Sequence, residues 1–242
     1  AQLLDLVQMA NADLWNESDF YRAYLGRQIF RVHDAQLRTL GGELVPVALS
    51  CAPLPSDQQA MVVTVLDMSV VRNLHQQLEY QAVTDPLTGL LNRRGFYQSA
   101  EGVLLRNERS DKAQALMFMD LDGFKRINDS HGHRAGDEVL RRIAAVLRQL
   151  AQPGDTPARL GGDEFAILLV QRTPVEAMRV AEQIRHYLQE PGAPGTTDIQ
   201  FSVSIGIAAA AGTATAEDWL AKADKALYHA KRHGKNTASC AE

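Results

Sequence analysis

Two neighbouring acids follow two glycines near the middle of the chain, in the segment Arg159-Leu-Gly-Gly-Asp-Glu-Phe165. The apolar run 166–170 comes next, so the segment predicts a β-hairpin whose turn presents the carboxylates of Asp163 and Glu164. Glycine also lets a phosphate group approach the backbone closely. Carboxylates in such a turn are typical of a magnesium site for phosphoryl transfer. An ordinary hairpin turn is the alternative that this segment alone leaves open.

A second acidic segment precedes the first. A run of apolar residues ends in Asp120, and Asp122 follows it. Strand geometry places these two carboxylates on the same side. Gly123 and a helix-like stretch from Phe124 come next, and a helix start offers free N–H groups to an anion. The segment therefore predicts acid for a metal ion, backbone amide for phosphate and Lys125 as a positive charge. A surface loop that caps a helix is the alternative.

A third segment could recognise a nucleobase. Apolar residues recur at helical spacing over 139–150 and predict a core-facing helix that Asp137 opens. A carboxylate accepts hydrogen bonds from the two adjacent donors of guanine's Watson–Crick edge, and Asn128 could add a second contact. A helix N-cap is the alternative role for Asp137. His131 and His133 lack a third metal ligand, which favours structural histidines in a tight loop.

From about Val83 to Asn236, the chain resembles the GGDEF domain of diguanylate cyclases. The resemblance rests on an ordered series of motifs: Asp85-Pro-Leu-Thr-Gly-Leu-Leu-Asn-Arg93, Asp120-Leu-Asp-Gly-Phe-Lys125, Asn128-Asp129, His131-Gly-His133, Gly136-Asp137, Arg159-Leu-Gly-Gly-Asp-Glu-Phe165, Ser204-Ile-Gly-Ile207, Ala223-Asp-Lys-Ala-Leu-Tyr228, Ala230-Lys231 and Gly234-Lys-Asn236. Such a series is far more specific than any single motif.

The resemblance implies a homodimeric enzyme in which two domains, each with one bound GTP, face each other. The ribose 3′-OH of one GTP attacks the α-phosphorus of the other, pyrophosphate leaves, and a second attack completes cyclic di-GMP. By matching position, Asp120 and Asp163 would hold two Mg²⁺ ions, with Mn²⁺ as an alternative, and the Leu121 carbonyl would assist. Glu164 would complete the metal site or help to deprotonate the 3′-OH.

The same resemblance assigns the rest of the GTP site. Asn128 and Asp137 would bind guanine, and both are present, which argues for GTP over ATP. The phosphates would be held by backbone amides and lysines at Gly123, Phe124, Lys125, Lys231 and Lys235.

One departure from the family pattern concerns product inhibition. Many members carry an inhibitory Arg-x-x-Asp site, and here this window reads Gln152-Pro-Gly-Asp155. A neutral amide cannot grip guanine and phosphate as a guanidinium does. The sequence therefore predicts weak or absent product inhibition through this site, with Asp155 left as a turn residue.

Composition bounds the remaining possibilities. The chain has 242 residues, 45% of them hydrophobic, and a net charge of -4, which does not favour nucleic-acid binding. Its two cysteines, Cys51 and Cys240, indicate no disulfide framework and fit a reducing cytoplasm. No apolar run approaches membrane-spanning length and no signal peptide is visible.

The N-terminal segment 1–69 resembles the C-terminal half of a PAS sensory domain. Apolar spacing predicts a helix over residues 1–15, strands are predicted over 29–40, 43–51 and 60–66, and Gly41-Gly42 predicts a turn. The resemblance rests on this hairpin and on the Asp67-Met-Ser69 ending. The segment is shorter than a full PAS domain, which indicates a truncated or degenerate one.

A helical linker is predicted over residues 70–84. Val71, Leu74, Leu78 and Gln81 recur at spacings of three and four residues, which suits a short coiled coil between two subunits. A single amphipathic helix packed on its own domain is the alternative. Dimerisation is favoured because the chemistry implied by the resemblance needs two half-sites.

The catalytic segment 85–242 is predicted to be α+β with a ferredoxin-like palm. We expect a strand over 115–120, helices over 123–130 and 137–150, a hairpin over 157–170, a helix over 174–190, a strand over 199–208 and a helix over 217–232. A catalytically silent GTP-binding regulatory module is the alternative function.

Overall fold

The computed structural model describes residues 7–8, 22–23, 25–39, 41–54, 61–107, 113–190 and 199–241. The chain divides into two compact units, Ala1–Glu79 and Tyr80–Glu242. Within the described residues, no helix combines the length and the apolar character needed to cross a lipid bilayer.

The first unit contains an antiparallel four-stranded sheet in sequential order. Its strands are β1 (Val7–Gln8), β2 (Phe30–Arg38), β3 (Leu44–Pro53) and β4 (Met61–Asp67). Val47, Leu49 and Cys51 alternate along β3 and are all buried, so one face of this sheet carries the core of the unit. The strands predicted over 29–40, 43–51 and 60–66 are confirmed.

The helix predicted over residues 1–15 is wrong where it can be compared. Most of this range lies outside the described residues, but Val7 and Gln8 form strand β1 opposite Leu37 and Gln36 of β2. Pairing with the free edge of β2 satisfies the backbone groups of these two residues, and such tertiary pairing overrides local helical spacing.

The linker helix exists as α1 (Ser69–Val83). Asp67 accepts a hydrogen bond from the Ser69 N–H at 2.8 Å, which closes the chain into the helix start. Three of the positions predicted to form the coiled-coil seam are solvent-exposed within this chain: Val71, Leu74 and Leu78.

The second unit is a five-stranded sheet in the order β6-β7-β5-β8-β9, antiparallel except for the β8–β9 pair. Its elements are α2 (Arg93–Asn107), β5 (Gln114–Leu121), α3 (Phe124–His131), α4 (His133–Leu150), β6 (Thr156–Gly161), β7 (Glu164–Val170), α5 (Pro174–Gln189), β8 (Val203–Ala209), α6 (Ala216–Arg232) and β9 (Ala238–Cys240).

Helices cover both faces of this sheet. Successive residues of β5 alternate between two buried clusters: Met117 and Met119 pack toward α4 and α5, whereas Leu116 and Phe118 pack toward α2 and α6. Side-chain oxygens of Thr173 and Thr215 cap the starts of α5 and α6. The result is the predicted α+β palm, with β5 at its centre.

Four details of this unit differ from the prediction, and the first is that β8 begins at Val203 rather than at residue 199. Helix α4 begins at His133, so Asp137 lies inside the helix rather than at its start. Gly132, at φ 82°, separates α3 from α4, and a turn of helix fits between Gly132 and Asp137. Helix α2 and the parallel edge strand β9 were not predicted. Both contribute only part of one face to a shared core, so their sequences carry weak periodicity.

Candidate active site

The strand register brings the predicted acids to one edge of the sheet, namely the end at which β5 finishes and β7 begins. Asp120 near the end of β5 lies directly opposite Glu164 at the start of β7, and opposite Ser204 of β8 on its other side. The Leu121 N–H donates to the Asp163 carbonyl oxygen at 3.3 Å. The two acidic segments, which are distant in sequence, therefore meet at one place.

The turn between β6 and β7 has the tight geometry that glycine allows. Gly162 adopts φ 46°, in the left-handed region that favours glycine, and a Cβ added there would meet nothing within 4 Å. The restriction at this position is therefore conformational, and open space remains above the turn. A ligand could approach this backbone without meeting a side chain.

The conformation of this turn is stabilised by Arg159. Its guanidinium donates to the Gly162 carbonyl oxygen from Nε at 3.0 Å and from Nη2 at 2.8 Å. Nη1 bonds both carboxylate oxygens of Asp85 at 3.2 Å, and Thr88 donates to the same carboxylate. The Asp85 motif therefore supports the acidic turn from behind, a role that the sequence alone did not reveal.

Asp120 is largely enclosed, with a side chain 17% exposed. Burial raises its pKa, the ion pair with Lys231 lowers it, and the charges of Asp163 and Asp122 raise it again, with a net rise. The Nζ of Lys231 lies 2.8 Å from Asp120 Oδ1. A positive charge is thus already placed against the acid that was predicted to bind metal.

Glu164 is more open to solvent. Its side chain is 40% exposed, and its Oε2 accepts from Arg93 Nη2 at 3.4 Å. Arg93, at the start of α2, also donates to the Leu160 carbonyl oxygen at 3.2 Å. The sequence showed Arg93 only as the last residue of the Asp85 motif, because its proximity to Glu164 depends on α2 packing beside β6.

The acids of the site fit a divalent metal only with further ligands. Within the described residues, no group of three or more His, Cys, Asp or Glu side chains is arranged to hold a metal ion. Mg²⁺ in nucleotide sites commonly uses one or two carboxylates together with water and substrate phosphates. Asp120 and Asp163, with the Leu121 carbonyl beside them, suit that pattern, so the donor set fits Mg²⁺ bound together with a phosphorylated substrate.

The predicted phosphate site lies at the same edge. Gly123 adopts φ 76° and α3 begins at Phe124, so N–H groups of the first helical turn are not used by the helix itself. Lys125 is exposed on that turn. Lys235 is also exposed, and the N–H of its neighbour Asn236 donates to Asp122 Oδ2 at 3.0 Å, which brings the lysine turn to this edge.

The two predicted guanine-binding residues are also brought together. Asn128 on α3 packs against Gly136 on α4, so closely that a Cβ at Gly136 would lie 2.0 Å from Asn128 Oδ1. That oxygen is buried without a hydrogen-bond partner. Asp137 follows Gly136 directly and is half-buried. Asn128 of α3 therefore lies against the residue that directly precedes Asp137 of α4.

The Gln152–Asp155 window forms a closed turn. Asp155 is 1% exposed and accepts from the Gln152 N–H at 2.9 Å, the Val170 N–H at 3.0 Å and Arg172 Nη2 at 2.9 Å. Its carboxylate stabilises the start of the β6–β7 hairpin. The structure thus places Asp155 in the turn role expected from the sequence and surrounds it with protein donors.

The fold and the site together define an α+β palm with an acidic hairpin turn, and comparison with known proteins gives the family. Residues 82–237 match the family model described as diguanylate cyclase, GGDEF domain. The chain therefore belongs to the GGDEF family.

Two curated relatives illustrate the similarity. Diguanylate cyclase DgcM of Escherichia coli (strain K12) is 40% identical over 177 residues, which are 73% of this chain and 42% of that protein. Response regulator PleD of Caulobacter vibrioides (strain NA1000 / CB15N) is 38% identical over 170 residues, 68% of this chain and 37% of that protein. The chain thus spans less than half the length of these relatives.

Solved structures agree with the fold. The structure of the coiled coil and GGDEF domain of DgcB from Caulobacter crescentus, in complex with c-di-GMP, superposes with a TM-score of 0.66 at 29% identity. The match covers 72% of this chain and 93% of the DgcB chain. The GGDEF domain of PA1120 (TpbB or YfiN) from Pseudomonas aeruginosa superposes with a TM-score of 0.61 at 38% identity. The match covers 66% of this chain and 94% of the PA1120 chain.

Proposed function

We propose that this protein is a diguanylate cyclase that condenses two GTP into cyclic di-GMP and releases pyrophosphate. The observation that carries the proposal is the convergence of three elements at one sheet edge. Asp120 lies opposite the acidic turn, Lys231 lies on Asp120, and the start of α3 lies beside them. Membership in the GGDEF family, with 40% identity to a named diguanylate cyclase, supports the same activity.

Guanine would be bound at the α3–α4 corner. The carboxylate of Asp137 would accept from guanine, and so would Asn128 once its amide turns away from Gly136, where its Oδ1 is buried without a partner. Guanine offers adjacent N–H donors where adenine has none in the matching arrangement. A site built to satisfy such acceptors discriminates strongly against a base that cannot. This geometry supports GTP as the substrate.

Phosphate binding would use the start of α3 and three lysines. The free N–H groups at Gly123 and Phe124 favour an anion. Lys125 and Lys235 would add positive charge, and Lys231, which is paired with Asp120 at 2.8 Å, would bind the phosphates once Asp120 serves as a metal ligand.

Asp120, Asp163, Glu164 and the Leu121 carbonyl would hold Mg²⁺, two ions per site, with Mn²⁺ as an alternative. When bound, these ions lower the pKa of the attacking hydroxyl and offset charge on the phosphates. Glu164, whose side chain is 40% exposed, would complete the metal site or help to deprotonate the 3′-OH. The new bond joins the 3′-oxygen to the α-phosphorus, and the bond to the pyrophosphate oxygen breaks.

The second GTP would be supplied by a second copy of the chain. One site binds one GTP, and the reaction joins two, so two GGDEF domains must face each other. The exposed side chains of Val71, Leu74 and Leu78 on α1 support a parallel helix pair between subunits. A strictly monomeric protein with the same specific activity at every concentration would contradict this arrangement.

The N-terminal unit would then act as the input domain. Its antiparallel sheet and the Asp67–Ser69 ending support a truncated PAS-like segment over 1–69, followed by the linker 70–84 and the cyclase domain 85–242. A signal in the first segment would alter how the two α1 helices meet.

A GTP-binding regulatory module is the second candidate, and the ion pair between Lys231 and Asp120 favours it. This lysine neutralises the acid that the catalytic metal requires. A chain in which Lys231 never leaves Asp120 would bind GTP without turnover.

The direct test is incubation of the protein with GTP and Mg²⁺, followed by chromatography of the nucleotides. We expect cyclic di-GMP and pyrophosphate, neither of which forms with EDTA. Asp163→Ala and Glu164→Ala, made separately, should each lower turnover about a hundredfold or more, because metal stabilisation of the transition state is worth several kcal/mol. Glu101→Gln removes an exposed acid of α2 and serves as the matched control. GTP binding without product would reject the cyclase and favour the regulatory module.

A further inference from the structure

The turn between α6 and β9 has an unusual backbone. Gly234, Lys235 and Asn236 adopt φ values of 108°, 61° and 47° in succession. Glycine adopts positive φ freely and asparagine tolerates it, but for lysine this conformation is unfavourable. Such a conformation persists only where surrounding contacts stabilise it.

Asp122 provides the most direct of these contacts. Its Oδ2 accepts from the Asn236 N–H at 3.0 Å and from Ser202 Oγ at 2.7 Å, and its Oδ1 accepts from Ser204 Oγ at 2.8 Å. The Asp122 N–H donates to the Ser202 carbonyl oxygen at 2.9 Å. One carboxylate therefore joins the end of β5, the start of β8 and the turn that carries Lys235.

The turn is also held from its other side. Arg185 Nε on α5 donates to Asn236 Oδ1 at 3.2 Å, and the Lys235 N–H donates to the Ala230 carbonyl oxygen at 3.3 Å. Asn236 is thus fixed through both its backbone and its side chain. Lys235 itself remains exposed, so the contacts fix its Cα while its ammonium stays free.

We propose that Asp122 is a positioning residue that acts through Lys235 and is not a metal ligand. This inference rests on the proposed function, in which Lys235 binds the phosphates of GTP. Asp122 holds the 234–236 turn in its left-handed conformation. The Cα of Lys235 is thereby kept at the sheet edge where the phosphates would bind. Ordering the turn before the substrate arrives removes an entropic cost from binding.

A double-mutant cycle tests this inference. The probe is a GTP analogue with a methylene group between its α- and β-phosphates, which cannot release pyrophosphate, titrated with Mg²⁺ into the protein in a calorimeter. Lys235→Ala should weaken binding about tenfold through loss of one charge-assisted contact. Asp122→Asn should weaken it similarly, because the amide nitrogen cannot accept a hydrogen bond. The double variant should bind the analogue no more than about tenfold more weakly than the unaltered protein does, since the two changes remove the same contribution.

Two controls separate positioning from metal binding and from misfolding. Ser202→Ala removes one donor to Asp122 but keeps the Asn236 bond, and it should bind within about twofold of the unaltered protein. The Mg²⁺ concentration at half-saturation should be the same in Asp122→Asn as in the unaltered protein. If Asp122→Asn does not fold, Arg185→Ala loosens the same turn from α5, and its loss must likewise be non-additive with Lys235→Ala.

Losses that multiply to about a hundredfold, or a Mg²⁺ requirement that rises in Asp122→Asn, would overturn the inference while leaving the cyclase intact. If the unaltered protein does not bind the analogue, the proposed function is rejected and the inference is rejected with it.

Discussion

Arg159 bonds both carboxylate oxygens of Asp85 at 3.2 Å while its other nitrogens bond the Gly162 carbonyl oxygen. The side chains of Arg159 and Asp85 are only 13% and 18% exposed. Two motifs that are far apart in sequence therefore form one support for the acidic turn. In such a partly buried pair, loss of either partner leaves the other without its opposite charge.

Arg159→Lys should weaken that support. A lysine has one ammonium group and cannot reach Asp85 and Gly162 together in the fork geometry of a guanidinium. We expect a loss of about 2 kcal/mol in the free energy of unfolding, typical of a lost hydrogen bond to a charged group, measured by urea unfolding. Turnover should fall more than GTP affinity, because the turn carries Asp163, which is proposed to bind the metal ion. Arg94→Lys, an exposed arginine on the same helix as Arg93, is the matched control; an equal loss there would contradict the prediction.

Asp85 predicts an acid dependence of stability. Burial raises its pKa, but the hydrogen bonds from Thr88 together with the hydrogen bonds and charge of Arg159 lower it by a larger amount. The pKa of Asp85 in the folded protein therefore lies below the ordinary value. The stabilisation is therefore complete above the pKa of the unfolded chain and disappears as pH falls through the lower folded pKa. The unfolding free energies of the protein and of Asp85→Asn should converge as pH falls below about 4. A constant difference would contradict this account.

Gly206→Ala should destabilise the palm. Helix α6 crosses β8 at this residue, and a Cβ there would lie 2.0 Å from the Ala223 carbonyl oxygen and 2.3 Å from the Leu227 N. Backbone atoms cannot move aside as a side chain can, so we expect a loss of about 3 kcal/mol in thermal unfolding. Gly102→Ala, whose added Cβ meets no atom closer than 3.6 Å, should be neutral or slightly stabilising. Equal effects of the two changes would reject the close packing.

Gly136→Ala should relax base selectivity. The new methyl group would displace the Asn128 side chain, whose Oδ1 occupies that space. We expect the preference for GTP over ATP to fall by about tenfold or more, as also for Asn128→Ala and Asp137→Ala. The double change Gly136→Ala with Asn128→Ala should be no worse than the single changes, because both remove the same contact. Unchanged selectivity would reject a role for this corner in reading guanine.

Added cyclic di-GMP should not slow turnover through the Gln152–Asp155 window. The carboxylate of Asp155 already accepts from Arg172 and two backbone N–H groups. Turnover of Gln152→Arg should therefore also be insensitive to cyclic di-GMP. The change supplies a guanidinium but does not release Asp155 from its protein hydrogen bonds. Initial rates with increasing cyclic di-GMP measure this directly, and strong inhibition of either protein would contradict it.

Local signals in the sequence were enough to predict most elements of the palm. The hairpin 157–170, the helix 174–190 and the helix 217–232 were confirmed, because strong apolar periodicity and turn glycines are short-range features. The same signals failed for β1, α2 and β9. These elements are set by pairing and packing with distant segments, and tertiary contacts override their local preferences.

The amino-acid sequence alone determined which chemical groups this protein can use: the paired acids, the glycine turn, the lysines and the pair formed by Asn128 and Asp137. It also determined the family, because ordered motifs are a property of the chain. Only the tertiary structure decided what these groups contact. Asp120 meets Lys231, Arg159 spans Asp85 and Gly162, and Asp122 holds the Lys235 turn. Such contacts depend on strand register and helix packing, where residues far apart in sequence become neighbours through burial of a shared core.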